Sequence, residues 1–115
     1  MTIYRYQPAT RYSEGVVAGG MIYLSGQVPE DTTGDAGAQT ADVLAQVDRH
    51  LAALGCDKTR VVDATIFLAD LADYDAMNQV WDAWVAPGHA PARATVEARL
   101  ASPDWKVEIK IVAQR

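Results

Sequence analysis

The sequence predicts an α+β fold, a two-layer sandwich in which two helices cover one face of a mixed β-sheet. The elements run strand, strand, helix, strand, helix, strand, strand, with one further short strand at the start. Both helices can then cover only one face of the sheet. The chain has 115 residues, of which 50% are hydrophobic, so we expect one domain over residues 1–115 with its own core.

A β-hairpin is predicted near the N-terminus. Val16–Ala18 and Met21–Ser25 are apolar stretches, and the Gly19-Gly20 pair between them suits the primed turns of two-residue hairpins. Ile3–Tyr6 precedes the hairpin as a candidate edge strand, which Pro8 ends.

The first helix is predicted over Ala38–Leu54. Leucine and valine recur there at steps of three and four residues, as on the half-buried face of a helix. Asp35 or Gly37 is the expected start, and Gly55 is the expected stop.

The second helix is predicted to begin at Asp70 and to end before Pro87. Asp73 follows Asp70 by three residues, which approximates a capping box. Trp81 and Trp84 share one stripe of this helix, and their spacing favours packing in the core or at an interface.

Three further strands complete the predicted sheet. Val61–Leu68 is rich in β-branched residues and lies between the two helices. Pro91–Glu97 and Lys106–Val112 follow the second helix. If these last two strands pair as neighbours, their polar faces coincide.

Alternation along the two C-terminal strands sets which side chains share a face. Val107, Ile109 and Ile111 form an apolar face, which we expect to lie against the helices. Glu108 then points to the opposite face. Arg93 lies on the polar face of the other strand, so pairing brings Arg93 and Glu108 together on the uncovered side of the sheet.

The uncovered side is predicted to include Met21, Tyr23, Thr95 and Val112, which are not a set suited to water. Oligomerisation would bury such a face. We therefore expect a homo-oligomer in which sheet packs against sheet.

Charge and composition argue against several function classes. The net charge is −5 and the pI about 4.8, with no cluster of lysine and arginine, so nucleic acids and anionic membranes are poor partners. No apolar run reaches the roughly 18 residues needed to span a bilayer, and no signal-peptide core is visible, so we expect a cytoplasmic protein. His50 and His89 lack ligand-spaced partners, and Cys56 has no obvious base, so we expect no metal and no organic cofactor.

Arg93 and Glu108 are the strongest candidates for chemistry. The planar fork of an arginine recognises a small carboxylate, and a glutamate can orient or deprotonate a water. From the pattern alone, a structural ion pair is favoured roughly two to one over a functional pair. Ser25-Gly26 at a strand end, Tyr12 in a polar loop and Asn78 in mid-helix are weaker candidates, for which a plain turn or surface position is the simpler explanation.

Five stretches form an ordered set of motifs along the chain. They are Tyr12–Gly15 (YSEG), Tyr23–Pro29 (YLSGQVP), Asp70–Asn78 (DLADYDAMN), Pro91–Leu100 (PARATVEARL) and Val107–Ala113 (VEIKIVA). Each is weak alone, but together they span essentially the whole chain and resemble the RidA/YjgF family, in its short subgroup.

The resemblance implies a chorismate-mutase-like fold and a homotrimer with clefts between subunits. It also implies hydrolysis of reactive enamines and imines, such as 2-aminoacrylate and its imine, to 2-keto acids and ammonia. By position, Arg93 would bind the substrate carboxylate and Glu108 would hold and activate water. The further pocket residues implied by the family are Tyr12, Ser25, Gly26, Asn78 and Thr95.

Two positions depart from the family pattern. Many relatives carry cysteine at the position of Thr95, and many carry Gly-Pro where this chain has Thr10-Arg11. The thiol is not needed for this chemistry, whereas Arg11 adds charge near the pocket and changes which acid fits. The alternative function is a non-catalytic trimer that binds small carboxylates or regulates a partner. A nuclease or translation inhibitor is disfavoured by the acidic charge.

Overall fold

A six-stranded mixed sheet carries two α-helices on one face in the computed structural model, which describes residues 2–115. The strands are β1 Tyr4–Pro8, β2 Ser13–Ala18, β3 Met21–Leu24, β4 Val61–Leu68, β5 Ala92–Glu97 and β6 Val107–Gln114. The helices are α1 Ala36–Ala53 and α2 Tyr74–Trp84, with short 3-10 turns at Lys58–Arg60 and Leu71–Asp73. The predicted two-layer α+β sandwich is confirmed.

The strand order is β1-β2-β3-β6-β4-β5. β4 and β5 are parallel and are joined through α2, while β6 runs antiparallel to both β3 and β4. The expected pairing of the two C-terminal strands is therefore wrong, because β4 lies between β5 and β6. A parallel crossover places β5 at the sheet edge, and β6 fills the position between β3 and β4.

The core lies between the sheet and the helices. Val107, Ile109 and Ile111 have no exposed surface, which confirms the apolar face predicted for β6. From α1, Val43 and Val47 pack into the same cluster. Neither helix found in residues 2–115 lies over the opposite sheet face.

Met21, Tyr23 and Val112 lie on that uncovered face, as predicted. Met21 and Tyr23 alternate with the buried Ile22 on β3, and Val112 pairs with Tyr23 from β6. The Tyr23 side chain is 43% exposed. We use the term uncovered face for this side of the sheet.

The helix ends follow local capping chemistry. The Asp35 carboxylate accepts a hydrogen bond from the Ala38 amide at 2.9 Å, so α1 begins at Ala36, two residues before the predicted start. Gly55 follows the helix with φ of 72°, as expected for a stop. No helix within residues 2–115 is long and apolar enough to cross a membrane.

The start of the second helix differs from the prediction. The Asp70 carboxylate accepts from the Ala72 amide at 2.9 Å and caps only the 3-10 turn. Asp73 makes no capping bond, and α2 begins at Tyr74. The predicted capping box is therefore wrong, because Asp70 closes a tighter turn on its own.

Candidate active site

Arg93 lies on the helix-covered side of the sheet. Its partner in the β4–β5 register is Ala64, whose side chain is fully buried under the helices. The guanidinium donates to the Asn78 side-chain oxygen at 2.7 Å and to the Tyr74 hydroxyl at 3.4 Å. Its central carbon lies 5.3 Å from the ring centroid of Trp81. We call these four residues the arginine half-site.

Glu108 lies on the uncovered face. It is flanked along β6 by Val107 and Ile109, which point into the core, and it pairs across the sheet with Phe67. The prediction that Arg93 and Glu108 share one face is therefore wrong. Within one protomer the sheet separates them, so they form no ion pair and together make no single pocket.

A β-bulge shapes the sheet next to Glu108. The β3–β6 ladder is paired at Tyr23–Val112 and again at Gln27–Ile109. Residues 24–26 thus oppose residues 110–111, three against two, and one residue is extra. The Leu24 carbonyl, left out of the ladder, accepts a hydrogen bond from the Lys110 ammonium. Burial lowers the pKa of Lys110 below its usual value.

Gly26 lies in this bulge, directly against Glu108. A Cβ atom at this position would sit 2.9 Å from the Glu108 carboxyl carbon and would collide with one of its oxygens. The absence of a side chain therefore makes room for the carboxylate. Next to it, the Ser25 hydroxyl donates to the Ser13 carbonyl at 2.6 Å. The Ser25 hydroxyl is thereby tied to β2.

A cavity of about 600 Å³ opens beside Glu108. Four of the predicted site residues line it: Tyr12, Ser25, Gly26 and Glu108. We call these four the glutamate half-site. Tyr12 is 57% exposed at its rim. The other predicted residues, Arg93, Asn78 and Thr95, do not line this cavity.

Thr95 is on the same side of the sheet as Arg93, two residues along β5. The prediction that it lies on the uncovered face is wrong, because it pairs with the buried Ile66. Its hydroxyl oxygen is buried and has no hydrogen-bond partner within residues 2–115. Whether it contacts a ligand is a separate prediction that stays untested.

A polar network that reaches the cavity through Glu14 and Gln27 was not predicted. Gln27, which is 2% exposed, donates to Glu14 at 2.8 Å, and His50 lies 3.6 Å from the same carboxylate. The Tyr6 hydroxyl and His50 are 3.1 Å apart. These four residues come from four separate segments, so no spacing in the sequence could have joined them. Sequence reasoning also missed Tyr74 and Trp81 as neighbours of Arg93. They lie four residues before and three residues after Asn78 on the same helix stripe, and that spacing was a usable signal.

Comparison with known proteins decides the family. The sequence profile described as Endoribonuclease L-PSP matches residues 2–115. A RutC family protein of Haemophilus ducreyi is 50% identical over 111 residues, covering 96% of this chain and 95% of that protein. The chain belongs to the RidA/YjgF family.

Further RidA/YjgF relatives extend the match. The RutC family protein YoaB of Escherichia coli is 52% identical over 113 residues, covering 98% of each chain. A crystal structure of a YjgF family member from Neisseria meningitidis has a TM-score of 0.95 at 59% identity, covering 100% of this chain and 96% of that one. The family and the chorismate-mutase-like fold expected from the motifs are thus confirmed.

The RidA/YjgF chain therefore offers two kinds of chemistry in two places. The arginine half-site presents a fixed cation with a planar set of donors, suited to a carboxylate. The glutamate half-site presents a carboxylate above an open cavity, suited to orienting water or another polar group. Within residues 2–115, no group of three His, Cys, Asp or Glu side chains is placed to hold a metal ion.

Proposed function

We propose that this protein hydrolyses reactive enamines and imines of the 2-aminoacrylate type to 2-keto acids and ammonia. The site is assembled in a homotrimer from the arginine half-site of one subunit and the glutamate half-site of another. The observation that carries this proposal is the placement of Arg93 and Glu108 on opposite faces of one protomer's sheet. Two half-sites that cannot meet within a chain can meet across an interface.

The uncovered face supports the assembly. Tyr23 and Val96 are 43% and 42% exposed, and Met21 and Val112 lie partly exposed on the same side. Apolar surface of this kind favours association with another copy of the chain. A closed ring of subunits would bring different edges of neighbouring sheets together.

The arginine half-site supports recognition of a small 2-imino or 2-keto acid. A guanidinium has five N–H donors, and two of those of Arg93 are used by Asn78 and Tyr74. Three donors remain for the substrate carboxylate, enough for a two-point contact. The substrate is thereby anchored by the carboxylate common to this class of compounds.

Glu108 would supply the proton transfers. An enamine takes up a proton at its terminal carbon, loses one from its nitrogen and becomes an imine. Water then adds to the imine carbon while Glu108 accepts a proton from that water. That proton passes to nitrogen and gives a carbinolamine. The hydroxyl proton of the carbinolamine then moves to nitrogen as the C–N bond breaks, and ammonia and the 2-keto acid leave. The imine is already electrophilic, so holding it beside one water accounts for the catalysis without a covalent intermediate.

Subunit mixing tests both the chemistry and the assembly. An amino-acid oxidase generates the imine, and release of the 2-keto acid is measured. We expect Arg93→Ala and Glu108→Gln each to reduce the enzyme-dependent rate by about a hundredfold or more. Unfolding the two variants together and refolding them should restore about a quarter of wild-type activity, since half the subunits carry each intact residue. No recovery in mixed oligomers would place both residues in one subunit's site and overturn the shared site.

Two other functions give different results in the same experiments. A carboxylate-binding or regulatory trimer would bind 2-keto acids without turning over any imine, and Glu108→Gln would leave its affinity unchanged.

RNA cleavage is suggested by the description of the family profile. The net charge of −5 disfavours it, because nucleic-acid affinity depends on neutralising phosphates. RNA degradation that Glu108→Gln abolishes would favour that function.

A further inference from the structure

We propose that Trp81 and Tyr74 are positioning residues for Arg93, and that they set the affinity of the protein for its carboxylate substrate. This inference rests on the proposed function and assigns roles to two side chains outside the predicted site. Tyr74, Asn78 and Trp81 follow the i, i+4, i+7 spacing of one stripe on α2. All three contact the guanidinium of Arg93.

The three contacts constrain Arg93 in different directions. Asn78 accepts a hydrogen bond at 2.7 Å in the plane of the guanidinium, and Tyr74 accepts a second at 3.4 Å. Trp81 lies beneath the group, with its ring centroid 5.3 Å from the central carbon. A cation over an indole face is attracted by the negative charge of the ring. Together these contacts hold the plane of the fork as well as its position.

The indole under Arg93 is itself held in place. Trp81 is only 4% exposed, and its ring centroid lies 5.2 Å from that of Trp84. The Trp84 ring N–H lies 3.1 Å from both carboxylate oxygens of Asp48 on α1. The surface beneath Arg93 is therefore fixed by both helices.

Arg93 needs this support because β5 is an edge strand. A long arginine side chain at a sheet edge has many rotamers, and a two-point contact with a carboxylate uses only one of them. Fixing that rotamer before binding lowers the cost of the contact. The predicted consequence is an effect on substrate binding and little effect on the chemical step.

The test compares KM and kcat in Trp81→Leu, Trp81→Phe and Tyr74→Phe, using the oxidase-coupled assay. Trp81→Leu should raise KM about threefold to tenfold with kcat within about twofold of wild type. Trp81→Phe keeps an aromatic face and should recover most of the loss. Tyr74→Phe removes an acceptor from a 41% exposed residue and should raise KM by about twofold to threefold.

Val80→Ala is the control. It shortens an apolar side chain of the same helix that packs against the core beside Gly37 of α1, away from the three contacts of Arg93. We expect its KM to stay within about twofold of wild type. Equal KM values in wild type and Trp81→Leu would overturn the proposal. If Trp81→Leu does not fold, an unchanged KM in Tyr74→Phe would do the same.

Direct binding separates this proposal from the proposed function. Isothermal titration of each variant with 2-oxobutanoate should show the same order of affinities as KM. A wild-type protein that turns over no imine refutes the deaminase function. Weaker 2-oxobutanoate binding in Trp81→Leu than in Val80→Ala would still support the role of Trp81. A wild-type protein with full turnover, together with equal 2-oxobutanoate affinity in Trp81→Leu and Val80→Ala, refutes only the positioning role.

Discussion

The two half-sites are built in opposite ways. Arg93 is held by three side chains on one face of α2, so its position is set by side-chain contacts. Glu108 accepts no side-chain hydrogen bond within residues 2–115 and lies over a glycine in a backbone bulge. The first arrangement suits a group that must present fixed donors to a charged ligand. The second suits a carboxylate that must exchange protons with water.

The largest expected effect comes from filling the space under Glu108. Gly26→Ala places a methyl group against the carboxylate and moves it. Displacing a catalytic group by about 1 Å can cost on the order of a hundredfold in rate, so we expect kcat to fall by about that factor. Affinity for 2-oxobutanoate should stay within about threefold, because Arg93 is untouched.

Gly37→Ala is the control for that substitution. It adds the same methyl group in the first turn of α1, where the nearest atom to a new Cβ is 3.5 Å away. It should leave kcat unchanged and slightly raise stability. An active Gly26→Ala protein would mean that the position of Glu108 does not limit turnover.

Loosening the arginine half-site should have a smaller effect, and it should change KM rather than kcat. Asn78→Ala removes the acceptor at 2.7 Å from Arg93. Hydrogen bonds to charged groups are worth about 1.5–3 kcal/mol, and Tyr74 and Trp81 remain, so we expect KM to rise about tenfold with kcat nearly unchanged. Gln79→Ala, on the exposed side of the same helix, should change neither quantity. A fall in kcat alone would show that Asn78 acts on the chemical step.

The smallest expected effect is on stability and concerns Asp42. Its carboxylate accepts hydrogen bonds from the amides of Glu30 and Asp31, and Glu30 lines the cavity of the glutamate half-site. Burial raises the pKa of Asp42, but hydrogen bonds from the Asp31 amide, the Gln46 side chain and the Glu30 amide outweigh it, so the pKa lies below 3.8. A lowered carboxyl pKa stabilises the fold above the unfolded pKa, and this contribution disappears as pH falls through the folded pKa. Asp42→Asn should therefore cost about 1 kcal/mol at pH 7 and progressively less below pH 3.8.

Chemical denaturation across pH measures this difference. Arg49→Ala serves as the reference, because it breaks the ion pair with Glu30 at 2.6 Å, whose side chains are 61% and 66% exposed. An exposed pair contributes little, so we expect a change within about 0.5 kcal/mol. If Asp42→Asn lowers the free energy of unfolding equally at every pH, the charge of Asp42 is not what holds the backbone of Glu30 and Asp31.

Local features of this chain could be predicted from the sequence, whereas relations between distant strands could not. The buried face of β6 follows from alternation within one strand, and Gly55 ends α1 by its own backbone conformation. Which face of β5 lies under α2 depends on the contact between Arg93 and Asn78, and alternation alone cannot choose it. The bulge at residues 24–26 depends on pairing with β6, more than 80 positions away. The family motifs named candidate site residues, whose placement in two half-sites emerged only from the structure.

That sheet order has a consequence for how the chain folds during synthesis. β6 is the last of the six strands to leave the ribosome, yet it lies between β3 and β4. Until it arrives, both of those strands have an unpaired edge, and the core residues of β6 are missing from beneath the helices. The sheet therefore cannot close until β6 has left the exit tunnel, and folding waits for pairings between distant segments. A nascent chain stalled before Val107 should be cleaved readily by protease, whereas one extended past Arg115 by enough linker to clear the exit tunnel should resist it.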